Sequence, residues 1–434
     1  MTIDGKKILN KLARLRQVTN IKDVPQLTHG LFPGTHCPLM GAAMAIGGIE
    51  DALMVVVGTD ECAYYNKSMT IGSSQFGGIE GRCVSVVLDA HDVTFGSLEH
   101  MQQDFEELVQ EYHPSCVFLV TTCVIEVIGD DYDALAASLS EKYQLPVMAV
   151  HTEHFKCEDH LPGLERTITA CLEMMETCPC NDSVNILGQR LGIFSTTELY
   201  RELQEAKVNI GLQLPSGCTV EAIKKAPQAK VNIVVHDIAL PLAEKMQEKF
   251  GIPYVFFNRF LNPEKTMSAY QELFQYLELP LPKSVEENYT KTKATTRQMQ
   301  GSLAGIPYIY GNTPYAIFEL NAYLASLGMI PKLIQTGRLT EKDAEDIHEI
   351  VQHGDPYICK SANISPLQYV YDELDPYLYM GHEFAGRLKK KGIAVVHADM
   401  ANALLGFETT NFFLGQCCKA VEEAKQYRRE LNKL

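Results

Sequence analysis

Short unbroken apolar runs, each followed by a mixed stretch of helical spacing, recur along the chain. CVFLVTT (116–122) reads as a buried parallel strand with Cys123 at its C-terminal end, and Gly129-Asp130-Asp131 predicts a helix start just beyond. PVMAVHT (146–152) is a further strand. VNILG (184–188), a helix over RELQEA (201–206), VNIGLQL (208–214), KVNIVVH (230–236) and a long helix to Phe250 come next. In the last third, PYIYG (307–311), the helix YAIFELNAYLASLG (315–328), with Asn312 and Thr313 as caps, and PKLIQTG (331–337) make a βαβ unit with a right-handed crossover.

Strand–helix alternation predicts an α/β protein. Its units are an N-terminal helical extension over 1–29, an α/β domain over 30–180 that carries the densest motifs, a middle α/β domain over 181–300 and a C-terminal α/β domain over 301–434. The polar stretch 281–300 is a linker or a surface helix. The triple lysine at 389–391 closes a helix, where positive charge complements the dipole.

At 434 residues the chain is long enough for several units, each with its own core. Its net charge of −16, from 38 basic and 54 acidic residues, argues against nucleic acid or an anionic membrane as partner, since no basic stripe offsets it. No run of 18 uninterrupted apolar residues occurs and the opening segment is polar, so a cytoplasmic protein is expected. In that compartment 13 cysteines are not a disulfide framework. Cys116, Cys171 and Cys359 fall in apolar runs and are expected to be core, and the Cys178–Cys180 pair is expected in an exposed loop.

Three cysteines stand in a ligand's posture. Cys37 in PGTHCPLMG, Cys62 in GTDECAYYNK and Cys123 in TTCVIEVIGDD each hang from a loop at a strand end or helix start. Thiolates are the soft, anionic ligands that iron-sulfur clusters take. Zinc is the competing reading, but no paired C-x-x-C lies nearby.

With the 25-residue step from Cys37 to Cys62 and the element DVTFGS (92–97), like a D-x-x-F-G-G/S pattern, these motifs resemble the nitrogenase component 1 superfamily. That superfamily contains the two MoFe-protein subunits, their cofactor-assembly paralogues and tetrapyrrole reductases, and the motifs here look most like the β-type pattern. KVNIVVHDIALPLAEKMQEKFGIPY and GHEFAGRLKKKGIAVVHADMANALLGFE are similar to its middle and C-terminal segments.

The resemblance implies three Rossmann-like doubly wound parallel-sheet domains around a central cavity. It implies an iron-sulfur cluster, 4Fe-4S or P-cluster-like, on Cys37, Cys62 and Cys123. Its remaining ligand would come from a sister subunit, a symmetry mate or a non-cysteine group, so a homo-oligomer or a homologous partner chain is expected.

The resemblance also implies an ATP-dependent iron-sulfur reductase as electron donor. This chain has no G-x-x-x-x-G-K-[ST] and is not that ATPase. A second metal-sulfur cofactor or a tetrapyrrole substrate would sit in the cavity. Where the family's α-type chain has a cofactor cysteine, this chain has His236, so dinitrogen reduction is not expected. Cys218, His236 and His397 are the candidate cofactor contacts; His397, His236, His382 and Glu383 are the candidate catalytic groups. HTEHFKCEDH (151–160) is expected to form a polar cavity wall rather than a metal site.

The expected function is a nitrogenase-like oxidoreductase subunit that takes low-potential electrons through its cluster and reduces a bound substrate or cofactor. The alternative is a scaffold for metal-sulfur cofactor assembly, or a relay-only subunit.

Overall fold

The computed structural model describes residues 4–25, 36–70, 79, 81–157, 159–190, 192–360 and 364–431. Fourteen strands are assigned among them, in three sheets. They are β1 (Ala13–Arg14), β2 (Ala52–Gly58), β3 (Cys83–Val87), β4 (Cys116–Thr121), β5 (Val147–His151), β6 (Ser183–Gln189) and β7 (Asn209–Pro215), then β8 (Val231–Val234), β9 (Tyr254–Phe256), β10 (Pro307–Tyr310), β11 (Ile330–Gln335), β12 (Tyr357–Cys359), β13 (Leu378–Met380) and β14 (Ala394–Val396).

The sheets run β3-β2-β4-β5, β7-β6-β8-β9 and β1-β12-β11-β10-β13-β14. Every pairing is parallel except the short β1, which joins the third sheet antiparallel to β12. β2, β4, β6 and β8 are buried along their whole lengths, as strands covered on both faces must be. Cys116, Cys171 and Cys359 lie wholly in the core.

In each sheet the chain winds one way from a central strand and then the other. The reversal falls between β2 and β4, between β6 and β8, and between β10 and β13. Ligands of open α/β sheets gather beyond the C-terminal strand ends at such points. Cys62 and Cys123 stand just after β2 and β4; Arg190 and His236 just after β6 and β8; Asn312 and His382 just after β10 and β13.

The helix Pro38–Gly47 is set by contact with the helix Leu161–Ala170. A Cβ on Gly41 would lie 1.9 Å from the His160 carbonyl oxygen, and one on Gly163 would lie 1.8 Å from that of Pro38. Only glycine at both positions lets the backbones close to this distance, which fixes the end of the first helix where Cys37 stands.

Local readings needed correction in two places. Asn312 and Thr313 do not cap a helix: it spans Ile317–Ser326, and Thr313 instead shares a hydrogen bond with the Tyr310 hydroxyl at 3.1 Å. Cys123 does not merely precede a helix but begins one, Cys123–Ile128, closed by Gly129 in the left-handed conformation. The next helix, Tyr132–Tyr143, starts on an Asp131 cap. The stretch 281–300 is helical within Lys283–Leu303 and packs against the long helix Phe407–Leu431.

Candidate functional site

Each of the three cysteines stands at the start of a helix. Cys37 is the N-cap of Pro38–Gly47, Cys62 lies in the first turn of Asp60–Thr70, and Cys123 is the first residue of Cys123–Ile128. Helix starts present free N–H groups and the positive end of the dipole, which favours anionic sulfur. The Met40 and Leu39 amides act on Cys37 in this way, and the His154 amide donates to Cys123 Sγ at 3.3 Å. Burial pushes the Cys37 and Cys62 thiols up, and the Cys123 sulfur beside them adds to it in both. The three thiols are therefore near enough to act on one another's charge.

They are nonetheless spread. Among the described residues the one group of three metal-capable side chains with ligand atoms all within 4.8 Å is Asp89, His91 and Asp92. A single tetrahedral ion with bonds of about 2.3 Å would hold its sulfurs about 3.8 Å apart. Cluster cysteines sit on separate irons, and their sulfurs lie farther apart than one zinc ion would hold them. The Asp89 group serves the backbone: Asp89 Oδ1 accepts from the His91 and Asp92 amides, and Asp92 Oδ2 accepts from the Asp89 amide and faces His100 Nδ1 at 2.8 Å.

The two other motif elements lock beside Cys123. Asp130 Oδ2 accepts from the Ser97 amide at 2.6 Å and from its hydroxyl at 2.7 Å, tying DVTFGS to the GDD turn. Phe95, between these anchors, is 76% exposed.

A second group gathers at the ends of β6 and β8. Gly188, at φ +97°, lets the backbone of β6 run against His236; a Cβ there would meet His236 Cβ at 3.0 Å. Burial depresses His236 well below the usual imidazole range, and Arg190, Arg259, Arg338 and His160 press it further down. Arg259 is buried and bonded only to neutral acceptors: the carbonyls of Ala401, Val235 and Asn402 and the Gln189 side chain. Arg338 pairs with Glu165 at 2.6 Å.

His236 does not have a metal ligand's geometry. Its Nδ1 accepts from the Ile238 amide at 3.3 Å, so the neutral ring carries its proton on Nε2 and offers a donor there. Cys218 lies apart from both groups. It is 4% exposed and held against Gly48, at the C-terminal end of the ten-residue helix whose other end is Cys37, about 15 Å away by helix rise. Burial among core side chains pushes its thiol up to about 12.

His382 and Glu383 diverge: the histidine points outward to Asp399 at 3.2 Å, and the glutamate inward, accepting from the Tyr371 hydroxyl at 3.1 Å. Neighbours in sequence, they do not form a proton-transfer pair. His397 stands exposed beyond β14.

HTEHFKCEDH divides its residues among separate tasks. His151 binds Glu126 and Asp133 and is raised to about 9, chiefly by the hydrogen bond to Glu126, while His160 turns to Arg190. Glu158 lies outside the described residues. Cys180 is exposed and Cys178 half-buried. Sequence reading passed over Arg190 and Arg259, although each stands at a strand end, the signal that singled out His236.

Comparison with known proteins places these features. The chain is 30% identical over 223 residues to the nitrogenase iron-molybdenum cofactor biosynthesis protein NifE of Clostridium pasteurianum, an alignment spanning 50% of this chain and about half, 49%, of that protein. With the NifE of Rippkaea orientalis it shares 26% over 325 residues, 73% of this chain and 69% of the relative. With the nitrogenase molybdenum-iron protein alpha chain of Clostridium pasteurianum it shares 23% over 403 residues, 87% and 72%. These relatives are NifE and alpha chains, whereas the N-terminal motifs look β-type.

The solved structure "Nitrogenase Cp1 at pH 6.5" superposes with a TM-score of 0.77 at 15% identity, covering 91% of this chain and 94% of that one, and so shares the α/β fold. No described helix is long and apolar enough to cross a membrane. The model of the nitrogenase component 1 type oxidoreductases matches residues 37–429, and the chain belongs to that family.

Proposed function

We propose that this chain is a subunit of a nitrogenase-like oxidoreductase that binds an iron-sulfur cluster through Cys37, Cys62 and Cys123 and acts on a ligand held at the ends of β6 and β8. The observation that carries the reading is the convergence of three thiols from three separate helix starts. When bound, the cluster would supply one-electron transfer at low potential. Arg82, which binds the carbonyls of Ile49, Ala52 and Gly47, and the Gly41/Gly163 contact hold the Cys37 helix at its two ends.

Exposed apolar side chains lie on the helices of Cys62 and Cys123, Tyr64 and Val127, and on the segments tied to Cys123 and its GDD turn, Val93, Phe95 and Phe155. A surface of this kind suits partner chains. One of them would complete the cluster as a sister subunit or second copy, and another, an ATP-hydrolysing iron-sulfur reductase, would deliver electrons. His236 is a hydrogen-bond donor to a ligand in this account, not a metal ligand.

A second reading has its own support. Two of the relatives are named for cofactor biosynthesis, and His236, which the sequence resemblance sets in the place of the family's cofactor cysteine, has its Nδ1 taken. In that reading the chain is a scaffold that passes its ligand on. Anaerobic purification with whatever chain accompanies the protein, and then ATP-dependent reduction watched in the visible spectrum, separates the two. Turnover of electrons through a cysteine-dependent chromophore supports the oxidoreductase. Release of an intact metal-sulfur group without turnover supports the scaffold.

A further inference from the structure

We infer that the strand ends of β6 and β8 bind a small oxyanion, with Arg190 as the charge-pairing residue and His236 as a flanking donor. The inference deepens the proposed function and rests on its placing a ligand at this edge.

Arg190 is the first residue after β6, and its guanidinium is packed among protein atoms. It reaches His160 Nε2 at 3.3 Å and Met44 Sδ at 4.0 Å, and no carboxylate among the described residues bonds it. The two arginines beside it are provided for, Arg338 by Glu165 and Arg259 by its four neutral acceptors. Asp159 acts on Arg190 only from a distance, and its Oδ1 accepts from the Leu161 amide.

The histidines leave that charge uncompensated. Because Arg190 can only donate, His160 Nε2 accepts and the neutral ring carries its proton on Nδ1, on the edge away from Arg190. Burial holds His160 down to about 4, so the ring is neutral at pH 7. His236, with Nδ1 accepting from Ile238, offers Nε2–H.

A cation and a neutral donor thus stand at this edge with no carboxylate among the described residues bonded to either. A part-buried guanidinium without an anion is costly, and an unpaired donor adds to that cost. A carboxylate or phosphate group, which only accepts and fits a guanidinium with two parallel bonds, satisfies Arg190 and takes the His236 donor as well. A cationic ligand is disfavoured by three arginines.

The test uses the anaerobically purified protein at pH 7.5, with ionic strength matched by chloride, and monitors thermal unfolding in citrate or inorganic phosphate. Wild type should rise by several degrees in at least one of them and Arg190→Leu in neither; which anion works assigns carboxylate or phosphate. In chloride alone, Arg190→Leu should melt at or above the wild-type temperature, because an unpaired buried charge has been removed.

No shift in either anion, or equal shifts in wild type and variant, overturns the inference, as does a lower melting point for Arg190→Leu in chloride. Should Arg190→Leu not fold, Arg190→Lys decides: a rise of about tenfold in the half-saturating anion concentration supports the site, and no change refutes it. Iron content measured on the same samples reads the cysteine site separately, so loss of the anion effect with iron retained overturns this inference alone.

Discussion

Glu198 is a buried acid whose ionisation can be tracked through protein stability. It is 4% exposed at the start of the helix Glu198–Glu205, and its carboxylate accepts from the amides of Phe407 and Glu408 and from the Tyr270 hydroxyl, each at 3.1 Å. It thereby caps the long helix Phe407–Leu431. Glu408 returns the favour, accepting from the Glu198 amide at 2.8 Å while held by Arg201. Burial raises Glu198 from 4.5 to about 7, with the Glu408 charge adding to it against the amides that lower it.

The native state thus binds a proton more tightly than the unfolded chain. Stability from this group is complete below pH 4.5 and is lost as pH rises to about 7. That interval is roughly 2.5 pH units at about 1.4 kcal/mol each, or about 3 kcal/mol. Glu198→Gln removes the titration but turns an NH₂ toward the Glu408 amide, a donor against a donor, costing about 1–3 kcal/mol at every pH. In urea unfolding the wild type should therefore lead the variant at pH 4.5, and the gap should shrink by about 3 kcal/mol by pH 8. A gap constant across this range would refute the reasoning, and a widening one would reverse its sign.

The close contacts around the two sites set further outcomes. Gly163→Val should destabilise by about 1–3 kcal/mol or more, since even a Cβ meets the Pro38 carbonyl, and should lower bound iron by displacing Cys37; normal melting and iron content would contradict this. Cys218→Ala should lose about 1 kcal/mol of core packing in urea titration and leave iron unchanged, because the residue lies at the far end of the Cys37 helix. Arg259→Met should unfold at markedly lower urea than wild type, because four buried acceptors lose their donor at about 1–3 kcal/mol each, minus what relaxation recovers.

Strands β4 to β8, β10 and β11 were legible in the sequence because an apolar run is a local signal. An apolar run ending in a small or polar residue marks a strand end, and ligands gather at strand ends, so the residues just beyond each run become candidates. That rule found Cys62, Cys123 and His236, and applied evenly it reaches Arg190 and Arg259. Contacts between distant residues were hidden. Glu198 caps a helix 209 positions later, and Asp130 grips Ser97 33 positions earlier. Cys218 looked like a ligand on its turn before a helix, but its surroundings are set by the end of another helix 170 positions earlier. Adjacent His382 and Glu383 looked paired, yet one side chain turns out to Asp399 and the other in to Tyr371.

The account turns on one site, and iron content reads it directly. Iron and acid-labile sulfide per chain should be determined on anaerobically purified wild type and on Cys37→Ala, Cys62→Ala and Cys123→Ala, each shown by circular dichroism to be folded. The account predicts substantial iron and sulfide in wild type and a loss of both, with bleaching of the broad visible absorption, in each variant. Wild-type iron retained in all three folded variants would contradict it.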